Sequence, residues 1–108
     1  MQPETYTVHW REQAVGLVVL GRPDMWYVDG SFTSDGGEAS KRFVALASTL
    51  EPKSVEAHPP SGTRVLLKND DPAFAGIHAL VLSLKDGVLF MRMVFMREAV
   101  ELLVAKVK

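Results

Sequence analysis

The segment from Ile77 to Phe95 constrains the fold more than any other part of the chain. Two runs of largely apolar residues flank Lys85-Asp86-Gly87-Val88. An Asp-Gly pair favours a two-residue type I′ turn, because both central residues of that turn need a positive φ angle. The segment therefore predicts an antiparallel β-hairpin in which Lys85 lies opposite Val88.

That register assigns the hairpin residues to two faces. One face is almost entirely apolar and should contribute to the core through Leu80, Leu82, Leu84, Leu89, Met91 and Met93. The other face is mixed and includes Val81, Phe90, Arg92 and Val94. A shift of one residue would exchange the two faces, so the pattern fixes the register strongly.

Two segments have helical periodicity. Between about Gly36 and Leu50, apolar residues recur on one helical face, and Asp35-x-x-Glu38 suits a capping box. Glu51-Pro52 should end this helix, since the residue before a proline disfavours the α conformation. A second apolar stripe lies between Arg97 and Val107 and consists of Val100, Leu103, Val104 and Val107. We expect one amphipathic helix in each segment.

Four further segments are typical of strands: Tyr6–Trp10, Ala14–Leu20, Met25–Thr33 and Thr63–Lys68. The predicted order is therefore β-β-β-α-β-β-β-α, and its short connections favour antiparallel neighbours. A length of 108 residues suits one domain. The sequence predicts a single α+β domain, residues 1–108, in which a mostly antiparallel sheet of about six strands carries two amphipathic helices on one face.

Charge and composition exclude several classes of function. The formal net charge is −1 and the 12 Lys and Arg residues are scattered, which argues against a nucleic-acid footprint. The absence of cysteine excludes a disulfide framework and a thiol nucleophile. The apolar runs are far shorter than the roughly 20 residues that span a bilayer. We expect a soluble cytoplasmic protein with no cofactor, no metal, no nucleic-acid partner and no membrane partner.

The string Val28-Asp29-Gly30-Ser31-Phe32 resembles the first-strand motif of the ribonuclease H family. In that family the aspartate at the position of Asp29 helps to bind a catalytic metal pair. The resemblance covers these five residues. A helix follows here almost directly, where the family has a hairpin and then a helix with a second carboxylate. We therefore interpret Asp-Gly-Ser as a bend at a strand end, with Asp29 on the polar face.

The histidines leave one alternative open, a small enzyme or ligand-binding protein. They are His9, His58 and His78, and no pair has the spacing of a metal motif. A pocket near the His58 loop and the Asp70-Asp71 loop, with His78 beside it, could still assemble in space. Whether the chain is an enzyme, and which residues would be catalytic, stays open at this point.

The mixed face of the hairpin supports the main functional hypothesis. Its apolar residues would lie on a sheet face that the two helices do not cover, and a monomer rarely leaves such a face in water. We expect a non-enzymatic interaction module that forms a homodimer, or binds a protein partner, through this face. The expected interface residues are Tyr27, Val81, Phe90, Arg92 and Val94.

Overall fold

A computed structural model describes residues 4–21, 26–71 and 73–94. Its strands are β1 (Glu4–Trp10), β2 (Gln13–Leu20), β3 (Tyr27–Ser34), β4 (Thr63–Lys68), β5 (Ile77–Lys85) and β6 (Val88–Met93). Its helices are α1 (Glu38–Ala47), α2 (Pro52–Ala57) and the short 3₁₀ turn Pro59–Ser61. The helix predicted from Arg97 to Val107 lies outside the described residues. No helix within the described ranges is long and apolar enough to cross a bilayer.

The strands form one closed antiparallel barrel in the order β1-β2-β3-β6-β5-β4. The barrel closes where β4 pairs with β1, so that Val8 lies opposite Leu67 and Thr7 opposite Lys68. The prediction of an α+β fold, with an open sheet and two helices on one face, is therefore wrong: the protein is mostly β. The closing strands are more than 50 residues apart in the chain, and the short-range patterns used for the prediction carry no signal for such a contact.

Two β-bulges provide the curvature that closure requires. In the β1–β2 pair, Val8 lies opposite Gly16 and His9 opposite Ala14, so Val15 is the extra residue. In the β5–β6 pair, Leu82 is the extra residue. Bulges of this kind bend a strand and increase its twist. Val15 and Leu82 are both fully buried, and both β2 and β5 pack against α1.

The bulge at Leu82 divides the predicted hairpin into two parts. Near the turn the predicted register is confirmed, because Lys85 pairs with Val88 and Leu84 with Leu89. Before the bulge the register moves by one residue, and Val81 pairs with Met91 instead of Arg92. The placement of Val81 on the mixed face is therefore wrong. Its side chain is fully buried with that of Met91 in the barrel interior.

The interior of the barrel is a packed apolar core. It is filled by buried side chains from every strand, namely Val8, Val18, Val28, Val65, Leu67, Ala79, Val81, Leu89 and Met91. One end of the barrel is closed by Phe43 of α1, whose ring centroid lies 5.6 Å from that of Trp10 and 5.5 Å from that of Phe32. Helix α1 therefore acts as a lid over the core and does not lie along one sheet face.

The helical region also differs from the prediction at both of its ends. Helix α1 begins after Gly37, and the Asp35 carboxylate accepts the Gly37 N–H at 2.8 Å without forming a capping box. At the other end, Pro52 is the first residue of the separate helix α2. Proline suits this position because the first N–H groups of a helix have no partner within it.

Candidate functional site

The most exposed large apolar side chains of the described residues share one side of the barrel. Leu17, Val19 and Val88 are 48%, 37% and 42% exposed, and Trp26, just before β3, is 37% exposed. Leu17 and Val19 belong to β2 and Val88 belongs to β6, and these strands are the two neighbours of β3 in the barrel. We call the outer side of these three strands the sheet wall. Its outward residues are Leu17, Val19, Tyr27, Asp29, Ser31, Thr33, Val88, Phe90 and Arg92.

Strand register explains why these side chains form one surface. Residues opposite each other on neighbouring antiparallel strands point to the same face. Val19 of β2 lies opposite Ser31 of β3, and Ser31 lies opposite Val88 of β6. Two residues further along β6 and two residues earlier in β3, Asp29 lies opposite Phe90. The two exposed valines are thus separated by one small hydroxyl side chain.

Aromatic rings extend the sheet wall towards the start of β3. The rings of Tyr27 and Phe90 are stacked, with centroids 6.0 Å apart and planes within 3° of parallel. The ring of Trp26 lies 6.5 Å from that of Tyr27 at an angle of 42°. The Trp26 and Tyr27 rings therefore meet at an angle and form an aromatic corner, and the Phe90 ring is stacked with that of Tyr27.

One acidic and one basic side chain lie among these rings. Asp29 is the cross-strand partner of Phe90, and Arg92 is the cross-strand partner of Tyr27. The two charges are therefore on adjacent rows of the same surface, with Asp29 exposed and Arg92 half-buried. A surface that carries both signs of charge can be complementary to a second copy of itself.

A cleft of about 280 Å³ opens beside the aromatic corner. Its lining residues come from three parts of the fold and are Trp26, Tyr27, Glu56, Leu80 and Arg92. Across the strands, Arg92 lies between Tyr27 on β3 and Leu80 on β5. Glu56 comes from α2, which packs against β5. The cleft is therefore a groove between α2 and the outer face of β6.

The structure brings together three of the five predicted interface residues. Tyr27, Phe90 and Arg92 are neighbours on the outer surface. Val81 lies inside the barrel, for the reason given above. Val94, which follows β6, is buried, and its N–H donates to the carbonyl oxygen of His78.

The residues of the alternative site are not brought together. His58 precedes β4 and Asp70-Asp71 follows it, so they lie at opposite ends of that strand. His78 and these residues are all exposed. Asp29 lies within β3, not at a bend that ends the strand. Within the described ranges, no group of three His, Asp or Glu side chains could hold a metal ion.

Sequence reasoning missed Leu17, Val19, Val88 and Glu56, and it did not assign Trp26 to this surface. One signal could have found the first two. Ala14–Leu20 is an almost continuous apolar run, and such a strand has two apolar faces. One face of β2 lines the barrel, so the other must be covered by something else or remain exposed. The sequence contained less indication of Glu56, because the short helix that carries it was not predicted.

No protein-family model, no curated protein and no solved structure matches this chain.

Proposed function

We propose that the protein is a non-enzymatic interaction module that associates with a second copy of itself through the sheet wall. The observation that carries this proposal is the concentration of exposed apolar side chains on the two strands that flank β3, with Leu17 and Val19 on β2 and Val88 on β6. Exposed apolar side chains scattered singly are normal, whereas a contiguous group is typical of an interaction surface. Tyr27 and Phe90 add the aromatic area in which protein interfaces are enriched.

The charges favour a second copy over an unrelated partner. In a two-fold dimer, a contact from Arg92 of one copy to Asp29 of the other occurs twice, because the interface is self-complementary. A net charge of −1 gives little repulsion between copies. A partner selected for opposite charge would instead favour a surface of one sign.

The test measures the mass of the protein in solution by sedimentation and light scattering over a range of concentrations. Val88→Asp places a charge on a side chain that is 42% exposed, so the fold should tolerate it. We expect the wild-type protein to form dimers and the variant to raise the dimer dissociation constant at least ~10-fold, which corresponds to about 1.4 kcal/mol.

A matched control places the same charge on a different strand. His78 is exposed near the start of β5, at the opposite end of that strand from Lys85, which pairs with Val88, so His78→Asp should leave the dissociation constant unchanged. Phe90→Asp should act like Val88→Asp. A wild-type protein that remains monomeric at high concentration would refute the proposal, as would equal dissociation constants for the Val88 and His78 variants.

A further inference from the structure

The chain contains three Asp-Gly pairs, Asp29-Gly30, Asp35-Gly36 and Asp86-Gly87. In such a pair the amide nitrogen of glycine can attack the side-chain carboxyl carbon of the aspartate and close a five-membered succinimide ring. Glycine favours this reaction because it has no side chain to shield its nitrogen. Since the three dipeptides are identical, any difference in their reactivity must come from the fold.

The strand that carries Asp29-Gly30 prevents the reaction there. Gly30 is buried within β3 and pairs with Leu20 on β2 and with Leu89 on β6. Ring closure requires the glycine nitrogen to rotate towards the side-chain carboxyl. A strand that is hydrogen-bonded on both sides cannot make that rotation without breaking its ladders. Asp29 is therefore protected as long as the barrel is folded.

Hydrogen bonds occupy both reacting groups of Asp35-Gly36. The Gly36 N–H donates to Ser34 Oγ at 3.0 Å, and the Asp35 carboxylate accepts the Gly37 N–H at 2.8 Å. Each bond stabilises the unreactive arrangement, and both must break before the Gly36 nitrogen reaches the Asp35 carboxyl. The loop is exposed, so this protection is weaker than that of β3.

The Asp86-Gly87 turn lacks both kinds of protection. Its two residues are exposed, and a Cβ atom on Gly87 would meet nothing within 4 Å. Among the described residues, neither the Asp86 carboxylate nor the Gly87 N–H has a hydrogen-bond partner. The contact of Gly87 with β3 is made by its carbonyl oxygen, which accepts the Phe32 N–H at 2.8 Å. The nitrogen and the carboxyl group are therefore both available for reaction.

We propose that Asp86 is a site of spontaneous isomerisation to isoaspartate, whereas the fold protects Asp29 and Asp35. The Gly87 nitrogen forms a bond to Cγ of the neutral Asp86 carboxyl group, and the amide proton and the carboxyl hydroxyl leave together as water. Water then adds to the succinimide. When it cleaves the bond from the nitrogen to the main-chain carbonyl carbon, the main chain runs through Cγ and the mass is that of the original protein. This reaction does not depend on self-association.

The product changes the turn and creates a new recognition group. Isoaspartate adds one carbon to the main chain of a turn whose type I′ geometry needs two ordinary residues, so the pairing of Lys85 with Val88 is disturbed. It also carries a free α-carboxylate, which is the group that isoaspartate methyltransferases esterify with S-adenosylmethionine as the methyl donor. The partner that fits the isomerised turn is therefore a repair enzyme of this class.

The test incubates the folded protein in warm, weakly acidic buffer and maps isoaspartate by proteolysis and electron-transfer mass spectrometry. Methylation by a purified isoaspartate methyltransferase measures the modified sites independently. We expect isoaspartate to form at Asp86 at least ~10-fold faster than at Asp35, which corresponds to about 1.4 kcal/mol. Asp29 should form none. In concentrated urea the three aspartates should react at similar rates, because the fold no longer distinguishes them.

Asp86→Asn and Asp35→Asn are a matched pair of variants. Asn-Gly follows the same route but releases ammonia in the first step, so each event is detected as a gain in mass. Asn-Gly also suits a type I′ turn, so the first variant should fold. Deamidation at position 86 should exceed that at position 35 by the same factor. Equal rates at the two positions in the folded protein would overturn the proposal, as would an unchanged preference for position 86 in urea.

Discussion

Two hairpins of the barrel turn at the same end of the molecule with similar positive φ angles but with different residues. β1 and β2 are joined at Arg11-Glu12, and β5 and β6 at Asp86-Gly87. The φ angles are 52° and 67° in the first turn and 53° and 76° in the second. Only the second turn has the residues that favour positive φ, so the two turns must be stabilised in different ways.

The Asp86-Gly87 turn is stabilised by local preference, whereas the Arg11-Glu12 turn depends on contacts made by its neighbours. Positive φ costs roughly 1–2 kcal/mol for each residue with a Cβ atom other than Asn or Asp. Next to the first turn, the Trp10 indole donates to Thr63 Oγ1 and its ring contacts Phe43. The Arg11 guanidinium lies 4.3 Å from the centroid of the Trp10 ring. Long-range packing thus stabilises the positive φ angles of the Arg11-Glu12 turn, whereas Asp86 and Gly87 adopt positive φ angles through their own local preference.

The largest change in stability is expected when the Trp10 side chain is removed, and it tests whether long-range contacts hold the first turn. Trp10→Ala should lower the free energy of unfolding by about 3–5 kcal/mol, because it leaves a cavity beside Phe43 and releases the first turn. Denaturation with urea, followed by circular dichroism, measures this loss. Trp26→Ala is the matched control, and at an exposed site it should cost less than about 1 kcal/mol. Equal losses for the two variants would show that Trp10 does not hold the turn.

A substitution in the Asp86-Gly87 turn should have an intermediate effect on the free energy of unfolding. Gly87 has a φ of +76°, and a Cβ atom there would meet nothing within 4 Å. Gly87→Ala should therefore lower the free energy of unfolding by about 1–2 kcal/mol through the backbone alone.

The control for this prediction is Gly37→Ala. Gly37 has a φ of −78°, which alanine adopts readily, and a Cβ atom there would lie 3.2 Å from Asp35 Oδ1, at the end of an exposed side chain that can move. The same denaturation experiment should show a change within about 0.5 kcal/mol there, because the alanine limits the unfolded chain as well. If Gly87→Ala were as harmless as Gly37→Ala, the positive φ angle would not contribute to the choice of residue at this turn.

The same contrast explains how much of the molecule could be predicted from its sequence. Local signals identified the hairpin at Asp86-Gly87 and placed the strand Thr63–Lys68 where the structure has it. They did not reveal that β4 returns to pair with β1, because that contact depends on the packing of the whole core. Because the pairing of β4 with β1 was not predicted, the expected fold was an open sheet. The structure is a closed barrel, which belongs to a different fold class.

The part of the candidate surface close to the Asp86-Gly87 turn could be predicted, because the turn itself sets the strand register there. Phe90 lies close to the turn, on the near side of the bulge, and its predicted pairing with Ser83 is correct. Val81 lies beyond the bulge at Leu82, where an extra residue reverses the two faces. Nothing in an apolar run such as Leu80-Val81-Leu82 marks which residue will be extra, since each of the three is equally suited to burial. Periodicity alone therefore could not exclude Val81 from the surface.

The smallest effect should have the opposite sign and provides the most direct comparison of the two turns. Glu12 has a φ of +67° and an exposed side chain. Glu12→Gly removes the steric cost of its Cβ atom but adds conformational entropy to the unfolded chain, and these contributions partly cancel. We expect the free energy of unfolding to rise by about 0.5–1 kcal/mol. Gln13→Gly, one residue later in β2, should lower it by a similar amount, because glycine weakens a strand. A loss of stability in both variants would mean that the Glu12 side chain stabilises its turn by more than the strain it causes. In that case both turns would be stabilised by their own residues, and the contrast between them would not hold.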